Sequence, residues 1–514
     1  MTNPSPPPPM HPDQERALSM QMTVYSFAEL WASNGCANLT ALARWPSVAK
    51  LAGAFEGVPA IILSPGPSLS KNVELVKPLK GKVLIIAYTR TLSALAKVGL
   101  VPDLTVQLDP LDLTYHLDHY DVSQLEGLVC GCTCNPKLYQ KPFKRIFPYS
   151  GNQVIESWIY DALDGPEMFL DTSCSVATTT ISLCKVLGCS PIVLVGQDMS
   201  FPGGSYYDGG TEDGGAHLEP MPQLTPEQQA EEDSVLRTVE VLAQFGLPHA
   251  VQAHQQIWNQ RHVRAKGAQV VGMSKHAAAT EATGKAVLSR IGDVKQVPGY
   301  YGGQVGTTPS FSWVREWMGK RAAEFPGRFI NATEGGCYID GMIHAPLKTV
   351  IEGGEVRRGS DLHAVLDPLP LEDIDVPGRL QAACDAVDVG AQRASLLKMA
   401  EKTRRALECA DWVGLKIREI IDCRGREQGD LNRVKGLEAW MCKELEPAEI
   451  FYSIYQQQVM DAILEQAIGA HTFADTLQHL SAMCETVHTA REFGDTVLGG
   501  AIWRLRRAIE EDQD

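Results

Sequence analysis

The sequence predicts an α/β fold, a Rossmann-like parallel sheet with crossover helices, followed by an all-α helical bundle. Three observations support this prediction. Between about residues 58 and 200, short β-rich runs alternate with helical stretches. Beyond about residue 361, apolar residues recur at intervals of three and four, as in packed helices. The apolar run Ala60–Leu63 also breaks directly into Ser64–Leu69 and then into a helical pattern, which is typical of a strand, a tight turn and a helix.

Composition describes a soluble globular protein. The chain has 514 residues, of which 44% are hydrophobic and 21% charged. The 46 Lys and Arg against 62 Asp and Glu give a formal charge of −16, which argues against a protein that binds nucleic acid over a broad surface. No segment has the apolar core of a signal peptide or the length of a membrane span, so we expect a cytoplasmic protein.

The thirteen cysteines are scattered and lack metal-ligand spacing, which favours reduced thiols over a disulfide framework. Cys130, Cys132 and Cys134 come closest to a cluster. Their spacing of two predicts one face of a strand, and apolar packing is a more frequent role for such residues than a zinc site.

The chain divides by composition into four parts. Residues 1–20, with Pro4 and Pro6 to Pro9, predict a disordered tail, and residues 21–57 a short helical segment. Residues 58–350 form the predicted α/β domain, and residues 361–514 the helical domain. Its helices are predicted over 391–422, 436–445, 450–468 and 473–509.

Six strands are predicted in the α/β domain: Ala60–Leu63, Val83–Ala87, Leu104–Leu108, Leu128–Cys132, Arg145–Phe147 and Ile192–Val195. Ligands in parallel sheets bind beyond the carboxyl ends of strands. The first strand ends at Ser64–Leu69, the third at Asp109-Pro110 and the last at Gly196-Gln197-Asp198.

The Ser64–Leu69 turn is the first candidate for a ligand contact. Such a turn aims backbone N–H groups and the positive end of a helix at one point, which suits a phosphate. An ordinary strand-to-helix turn explains the same residues about equally well.

A helix is predicted from about Ser175 to Leu187, because its apolar residues form one stripe and Gly188 ends it. The hydroxyl side chains in Thr172–Ser175 cap that helix or also contact a ligand. Residues 202–233 are rich in Gly, Pro and acidic residues and predict a long loop that could act as a lid.

Further helices are predicted over 231–245, 274–291 and 311–325, and a polar loop over Asn331–Gly336.

Four ordered segments together resemble the central domain of the Maf-type motility accessory factors, a family of glycosyltransferases that decorate bacterial flagellin with nonulosonic acids. The segments are Ile62–Leu69; Gly99–Asp103 with Leu108–Pro110; Ser175–Thr179 with Leu194–Asp198; and Ile330–Gly336. The related family of 6-hydroxymethylpterin pyrophosphokinases shares the domain.

The resemblance implies transfer of a pseudaminic, legionaminic or sialic-like acid from a CMP-activated donor to Ser or Thr hydroxyls of flagellin. It implies flagellin as the partner, a nucleotide-sugar as the donor substrate, and no required cofactor or metal.

The Gly-Pro-Ser-Leu turn and the small-residue helix are also similar to bacterial sialyltransferases that use CMP-sialic acid. That similarity implies a sialyltransferase-like sheet and a nucleotide-sugar-binding role for residues 58–350. The donor-binding residues it implies are Ser64, Gly66, Pro67, Ser68, Leu69, Asp109, Thr172, Ser173, Ser175, Gly196, Asn331 and Thr333.

For catalysis, the resemblance implies that Tyr206 assists departure of the phosphate, and backbone donors at Gly66–Ser68 would stabilise the same leaving group. The candidates for the general base are His217, Asp198 and Glu334, in that order. Many relatives place a histidine shortly after the Gly-Gln-Asp strand, where this chain has Ser205-Tyr206-Tyr207. Typical members also carry a substantial domain before the first strand, where this chain has residues 1–58.

Two other functions stay open. A pyrophosphokinase would need Mg²⁺ and clustered carboxylates such as Asp103, Asp109, Asp112 and Asp198. A non-catalytic adaptor would bind nucleotide without turnover and present its helical region to flagellin. The Asp373–Asp375 triplet lies in a Pro-rich stretch and predicts a solvated linker instead of a metal site.

Overall fold

The structure is a computed structural model of the whole chain. It describes residues 12–151, 153–163, 169–172, 175–244, 267–273, 290–325, 329–358, 361–424, 428–455 and 473–512, together with positions 250, 253, 254, 257, 258, 261, 264, 275 and 278.

The centre of the molecule is an eight-stranded, wholly parallel sheet, which confirms the predicted α/β class. Its strands are β1 Ala60–Leu63, β2 Leu84–Tyr88, β3 Leu104–Gln107, β4 Gly127–Gly131, β5 Ile146–Tyr149, β6 Ile192–Val195, β12 Phe329–Asn331 and β13 Ile343–His344. They are arranged in the order β13-β12-β6-β1-β2-β3-β4-β5. The six predicted strands are all present, and β1 and β6 have the predicted bounds.

The remaining strands form small antiparallel sheets outside this layer. They are β7 His217–Pro220, β8 Gly267–Val271 and β9 Arg290–Asp293 in one sheet, β10 Lys295–Pro298 and β11 Gln304–Thr307 in a second, and β14 Gly354–Arg358 and β15 Asp361–Leu366 in a third.

The helices are α1 Pro12–Leu42, α2 Leu69–Val76, α3 Leu92–Val98, α4 Pro136–Tyr139, α5 Val154–Tyr160, α6 Val176–Leu187, α7 Pro226–Gln244, α8 Pro309–Glu324, α9 Leu347–Glu352, α10 Val376–Cys384, α11 Val389–Arg424, α12 Gln428–Leu445 and α13 Phe473–Glu511.

Helices cover both faces of the main sheet. Along β1, Ala60 and Ile62 belong to a core with α6, α8 and α10, whereas Ile61 and Leu63 belong to a core with α2, α3 and α9. Successive side chains of a strand point to opposite faces, so a continuous apolar run is required when both faces are buried.

A third core joins the helical region to the α/β domain. It contains residues of α11, α12 and α13 together with Leu39 of α1 and Ile159 of α5. Helix α1 therefore packs with the carboxyl-terminal helices, although the sequence places it at the other end of the chain.

Two predicted boundaries are wrong. Residues 12–20, predicted to be disordered, form the first turns of α1, because a proline fits the first turn of a helix without losing a hydrogen bond. Residues 1–11 lie outside the described residues. The helical domain was predicted from residue 361, but β15 begins there and α10 packs into the α/β core through Leu380.

The predicted long loop over 202–233 contains β7 and the beginning of α7. The predicted helix over 274–291 lies mostly outside the described residues, and its last two positions belong to β9. The predicted helix over 450–468 also lies mostly outside them.

The three clustered cysteines are buried free thiols but do not share a face. The strand ends at Gly131, so Cys130 and Cys134 pack with α2 and α3 while Cys132 packs against α1. Within the described part of the chain, no helix is both long and apolar enough to span a membrane.

Candidate active site

A cleft of about 400 Å³ opens at the carboxyl ends of β1, β2, β3 and β6. Strand β1 lies between β2 and β6, so the order of the strands along the chain reverses at this place. Open parallel sheets bind ligands at such a switch point, and the volume suits a small molecule.

Eight of the predicted site residues line this cleft: Ser64, Gly66, Pro67, Asp109, Ser175, Gly196, Asp198 and Tyr206.

The donors of the Gly-Pro-Ser turn are already engaged within the protein. The N–H of Gly66 donates to the carbonyl of Gly196 at 2.9 Å, and the N–H of Ser68 donates to Asp198 Oδ2 at 3.0 Å. The N–H of Leu69 donates back to Gly66, and that of Ser70 to Asp208 Oδ2 at 3.1 Å. The positive end of α2 is thus occupied by two carboxylates of the chain itself.

These contacts correct the expectation that N–H groups at Gly66–Ser68 stabilise a leaving group. Pro67 has no N–H, and the other two residues donate to protein acceptors. Gly66 is required because a Cβ there would collide with the Gly196 carbonyl and the Asp198 carboxylate. The turn therefore locks β1 to the end of β6.

Asp198 is the centre of this lock. It is 1% exposed, and it accepts from both the N–H and the hydroxyl of Ser68, the latter at 2.5 Å. Burial raises the pKa of the Asp198 carboxyl, and the hydrogen bonds from Ser68 oppose that shift. Both oxygens of Asp198 are committed to Ser68, which favours a positioning role over that of a base.

The predicted Asn331–Gly336 loop supports the lock from behind. Asn331 accepts from the N–H of Thr333, and Thr333 Oγ1 accepts from the N–H of Gln197 at 3.0 Å. Gly335 lies against Ser68 so closely that a Cβ would collide with its hydroxyl. Four predicted donor-binding residues are buried and do not line the cleft: Ser68, Leu69, Asn331 and Thr333.

The connection between β6 and β7, residues 196–216, forms an aromatic wall of the cleft. Tyr206, Tyr207 and Phe311 of α8 line it, and their rings contact one another or Phe201 at centroid distances of 4.7–5.8 Å. Burial raises the pKa of the Tyr206 hydroxyl, so this group stays protonated at neutral pH. A protonated phenol can donate a hydrogen bond to an anionic leaving group.

A buried ion pair borders the same cleft. Arg90 follows β2, lines the cleft, and pairs with Asp213 of the β6–β7 connection. Tyr115 donates its hydroxyl to Asp213 Oδ2 at 3.2 Å, and burial raises the pKa of Tyr115 to about 12. The sequence does not reveal this pair, because its members are 123 positions apart; the position of Arg90 just after a strand is the available signal.

Among the residues that the structure describes, the histidine that lines the cleft is His116, not the predicted His217. His116 is 2% exposed, and its Nε2 lies 3.9 Å from Asp213 Oδ2. His217 lies on β7 with a half-exposed side chain that contacts the Gly215 carbonyl and Glu219. These two contacts, the Gly215 carbonyl first, raise the pKa of His217. The structure does not bring this predicted base into the cleft.

Two other predicted residues lie outside the cleft lining. Glu334 adopts a φ of 55° and accepts from the N–H of Leu347, so its side chain caps the start of α9. Thr172 donates to the Gly151 carbonyl at 2.5 Å. Ser173 lies outside the described residues.

The first turn of α6 does reach the cleft. Ser175 caps the helix by accepting from the N–H of Ala177 at 3.1 Å, and Ser175, Val176 and Ala177 all line the cleft. The positive end of this helix therefore faces the cleft, in contrast to that of α2.

The four carboxylates proposed for Mg²⁺ are not clustered. Asp103 precedes β3, at the edge of the sheet opposite the cleft, and is bound to Lys80 and to the N–H of Ile85. Asp109 follows β3, and Asp112 pairs with Lys137. Among the described residues, no group of three or more His, Cys, Asp or Glu side chains could hold a metal ion.

Part of the chain that forms this cleft is similar to a known protein family. Residues 33–204 match the model of the MptE-like family, whose description is 6-hydroxymethylpterin diphosphokinase MptE-like. The chain is similar to that family over this segment. The segment contains β1 to β6 and most of the cleft, and it ends just before Tyr206.

A solved structure, the Maf glycosyltransferase from Magnetospirillum magneticum AMB-1, is similar to the chain with a TM-score of 0.43 and 13% identity. The similarity covers 93% of this chain and 60% of that one, so the chain spans less than two thirds of its length. No curated protein gave a significant match. The matched segment thus contains six of the eight strands of the main sheet and most of the cleft lining, while Tyr206, Tyr207 and Phe311 line the cleft from beyond it.

Proposed function

We propose that the protein is a glycosyltransferase that moves a nonulosonic acid from a CMP-activated donor to Ser or Thr hydroxyls of flagellin, in the cytoplasm. One observation carries the proposal. Parts of three of the four segments that resemble the Maf-type family lie far apart in the sequence, yet they line one cleft at the switch point of the sheet. The fourth, Ile330–Gly336, buttresses that cleft through Thr333 and Gly335.

The walls of the cleft suit such a donor. The wall of Tyr206, Tyr207 and Phe311 offers flat apolar surface to a base or a sugar ring. The first turn of α6 offers the positive end of a helix to a phosphate. The volume of about 400 Å³ is in the range of small-molecule sites, roughly 300–1,000 Å³.

Departure of CMP leaves negative charge on the phosphate, so the site needs a donor aimed at it. Tyr206 is the proposed donor, because it lines the cleft and a phenol is protonated at neutral pH. With the N–H groups of the Gly66–Ser68 turn engaged elsewhere, the hydroxyl of Tyr206 and the start of α6 carry more of this stabilisation.

The acceptor hydroxyl must lose a proton. His116 is the proposed base, because it is the imidazole in the cleft and the Asp213 carboxylate lies beside its Nε2. A general base contributes about 10²–10⁴-fold to the rate. We expect His116→Gln to lower the transfer rate in that range and to abolish the acidic limb of the pH–rate profile, which a purely structural role would leave in place.

The test is binding and turnover of CMP, CMP-sialic acid and ATP with Mg²⁺ by the full chain. We expect metal-independent binding of the cytidine ligands and slow release of CMP from the donor. Tyr206→Phe should lower CMP release by about 10²–10³-fold with little change in CMP affinity. Tyr301→Phe is the matched control, since Tyr301 is 73% exposed and does not line the cleft.

The family description supports a second candidate, a diphosphokinase acting on a pterin. That enzyme would prefer ATP with Mg²⁺, and this preference in the same assay would overturn the glycosyltransferase proposal. The dispersed positions of Asp103 and Asp112 count against the four-carboxylate cluster that this chemistry was expected to use. Cytidine nucleotide binding without any turnover would instead support the adaptor.

A further inference from the structure

Arg90 is held on two sides by the chain itself. Its Nη1 donates to Asp213 Oδ2, and its guanidinium lies 4.5 Å from the centre of the Tyr207 ring. The Arg90 side chain is 14% exposed and the Asp213 side chain 3%. The Tyr115 hydroxyl, which donates to Asp213, also contacts the Arg90 side chain. Because a guanidinium has five N–H donors in a fixed plane, these two partners still leave donors for a second anion.

Apart from the first turn of α6, the rest of the cleft gives an anion few other partners. Among the described residues that line it, Arg90 is the one Lys or Arg, and Asp109 and Asp198 are the carboxylates. The N–H groups of the Gly66–Ser70 turn are bound to protein acceptors. A phosphate that enters the cleft therefore meets its fixed positive charge at the end of β2.

We propose that Arg90 recognises the phosphate of the bound nucleotide, with Asp213 and Tyr207 as positioning residues that hold its guanidinium. This assignment rests on the proposed function for the identity of the nucleotide. Charge-assisted hydrogen bonds from arginine to phosphate are short and directional, and preorganisation by Asp213 limits the entropy lost on binding.

The same arrangement links the phosphate to the β6–β7 connection. Asp213 lies on this connection, and Asp208, five positions earlier, binds the N–H of Ser70 at the start of α2. The connection is thus anchored on both sides of the cleft by carboxylates, and it also carries Tyr206 and Tyr207. Recognition of phosphate by Arg90 would therefore occur beside the proposed donor to the leaving group.

The experiment compares affinities for CMP and for cytidine, measured by calorimetry on the full chain. The ratio of the two affinities reports on the phosphate alone. Arg90→Gln should lower this ratio by about tenfold to a hundredfold while cytidine affinity stays within a few-fold. Arg90→Lys keeps the charge but loses the planar fork, so it should lower the ratio less.

Arg90→Gln also leaves Asp213 buried without its cation, so the variant could fold poorly. The double variant Arg90→Gln/Asp213→Asn removes both charges and should show the same fall in the ratio. Lys97→Gln is the matched control: Lys97 is an exposed cation that donates to the carbonyl of Gly210 and does not line the cleft. Its ratio should match that of the wild type.

An unchanged ratio in the single and double variants, with CMP still bound more tightly than cytidine, would overturn the role of Arg90 and leave the proposed function standing. Failure of the wild-type chain to bind either ligand would overturn the proposed function, and the assignment of a nucleotide phosphate with it. A loss confined to CMP-sialic acid, with CMP unaffected, would assign Arg90 to the sugar carboxylate and refute the phosphate role.

Discussion

Asp198→Ala is the most direct test of the lock between β1 and β6. The substitution removes the acceptor of two Ser68 donors, the N–H at 3.0 Å and the hydroxyl at 2.5 Å, and both residues are 1% exposed. Each buried donor left without a partner costs about 1–3 kcal/mol, or about 2–6 kcal/mol for the pair. Burial raises the pKa of Asp198, which means that keeping the charged carboxylate buried is itself unfavourable, and its removal offsets part of this cost. We therefore expect Asp198→Ala to lower the free energy of unfolding by about 2–4 kcal/mol.

Asp198→Asn should cost much less. The amide oxygen can accept from the N–H of Ser68, and the Ser68 hydroxyl can turn to accept from the amide nitrogen. Ser68 keeps two hydrogen bonds to residue 198, one as donor through its N–H and one as acceptor through its hydroxyl, and the loss of the charge corresponds to about 1 kcal/mol between a charged and a neutral hydrogen bond.

Hydrogen exchange of the amides from Ser68 to Lys71 measures the local stability of the turn that Asp198 holds. A loss of about 2–4 kcal/mol in Asp198→Ala should speed their exchange roughly thirtyfold to a thousandfold, while Asp198→Asn should stay within about tenfold of the wild type. Asp112→Asn is the control, because Asp112 pairs at the surface with Lys137 and such pairs contribute about 0–1 kcal/mol. Exchange in Asp198→Ala as slow as in the control would refute the lock.

Three further predictions concern folding. Gly66→Ala places a Cβ against the carbonyl at the end of β6 and should lower the melting temperature, whereas Gly209→Ala, with open space around its Cβ, should not. Burial raises the pKa of Glu156 above 4.5, so the native state binds its proton more tightly than the unfolded state, and the wild type loses stability as the pH rises from about 4.5 through the native pKa. Glu156→Gln does not titrate and should gain stability relative to the wild type over that window in matched thermal unfolding; a constant difference would contradict this linkage. Arg90→Gln and Asp213→Asn should each destabilise by about 3–5 kcal/mol and the double variant by less than either, as measured by urea unfolding; additive losses would show that the two charges are not coupled.

The sequence predicted the central strands well because their signal is local. Ala60–Leu63 and Ile192–Val195 are continuous apolar runs, as expected for strands that are buried on both faces. Strands β12 and β13 have only three and two residues and exist because β6 offers a free edge, which no local pattern encodes. The packing of α1 against α13 is likewise set by contacts between the two ends of the chain.

In the candidate site, too, the residues with a local sequence signal were predicted and those that depend on distant contacts were not. Residues at strand and helix ends, such as Asp109 and Ser175, were predicted because the rule for parallel sheets depends on position in an element. The sequence does not predict the group formed by Arg90, Asp213 and His116, because these residues are brought together only by the fold. A single arginine after a strand does not indicate which carboxylate will face it.

The sequence motif that first suggested phosphate binding has a different physical role in the structure. The positive end of α2 attracts an anion, and the chain supplies that anion itself through Asp198 and Asp208. A ligand phosphate would have to displace buried carboxylates that are each held by two hydrogen bonds, whereas at Arg90 it meets a cation with donors to spare. Ser68→Ala should therefore lower the stability of the fold more than it lowers the ratio of CMP to cytidine affinity. The double variant Arg90→Gln/Asp213→Asn should lower that ratio more than it lowers stability. If Ser68→Ala instead lowered the ratio of CMP to cytidine affinity at unchanged stability, the turn would be the phosphate site after all.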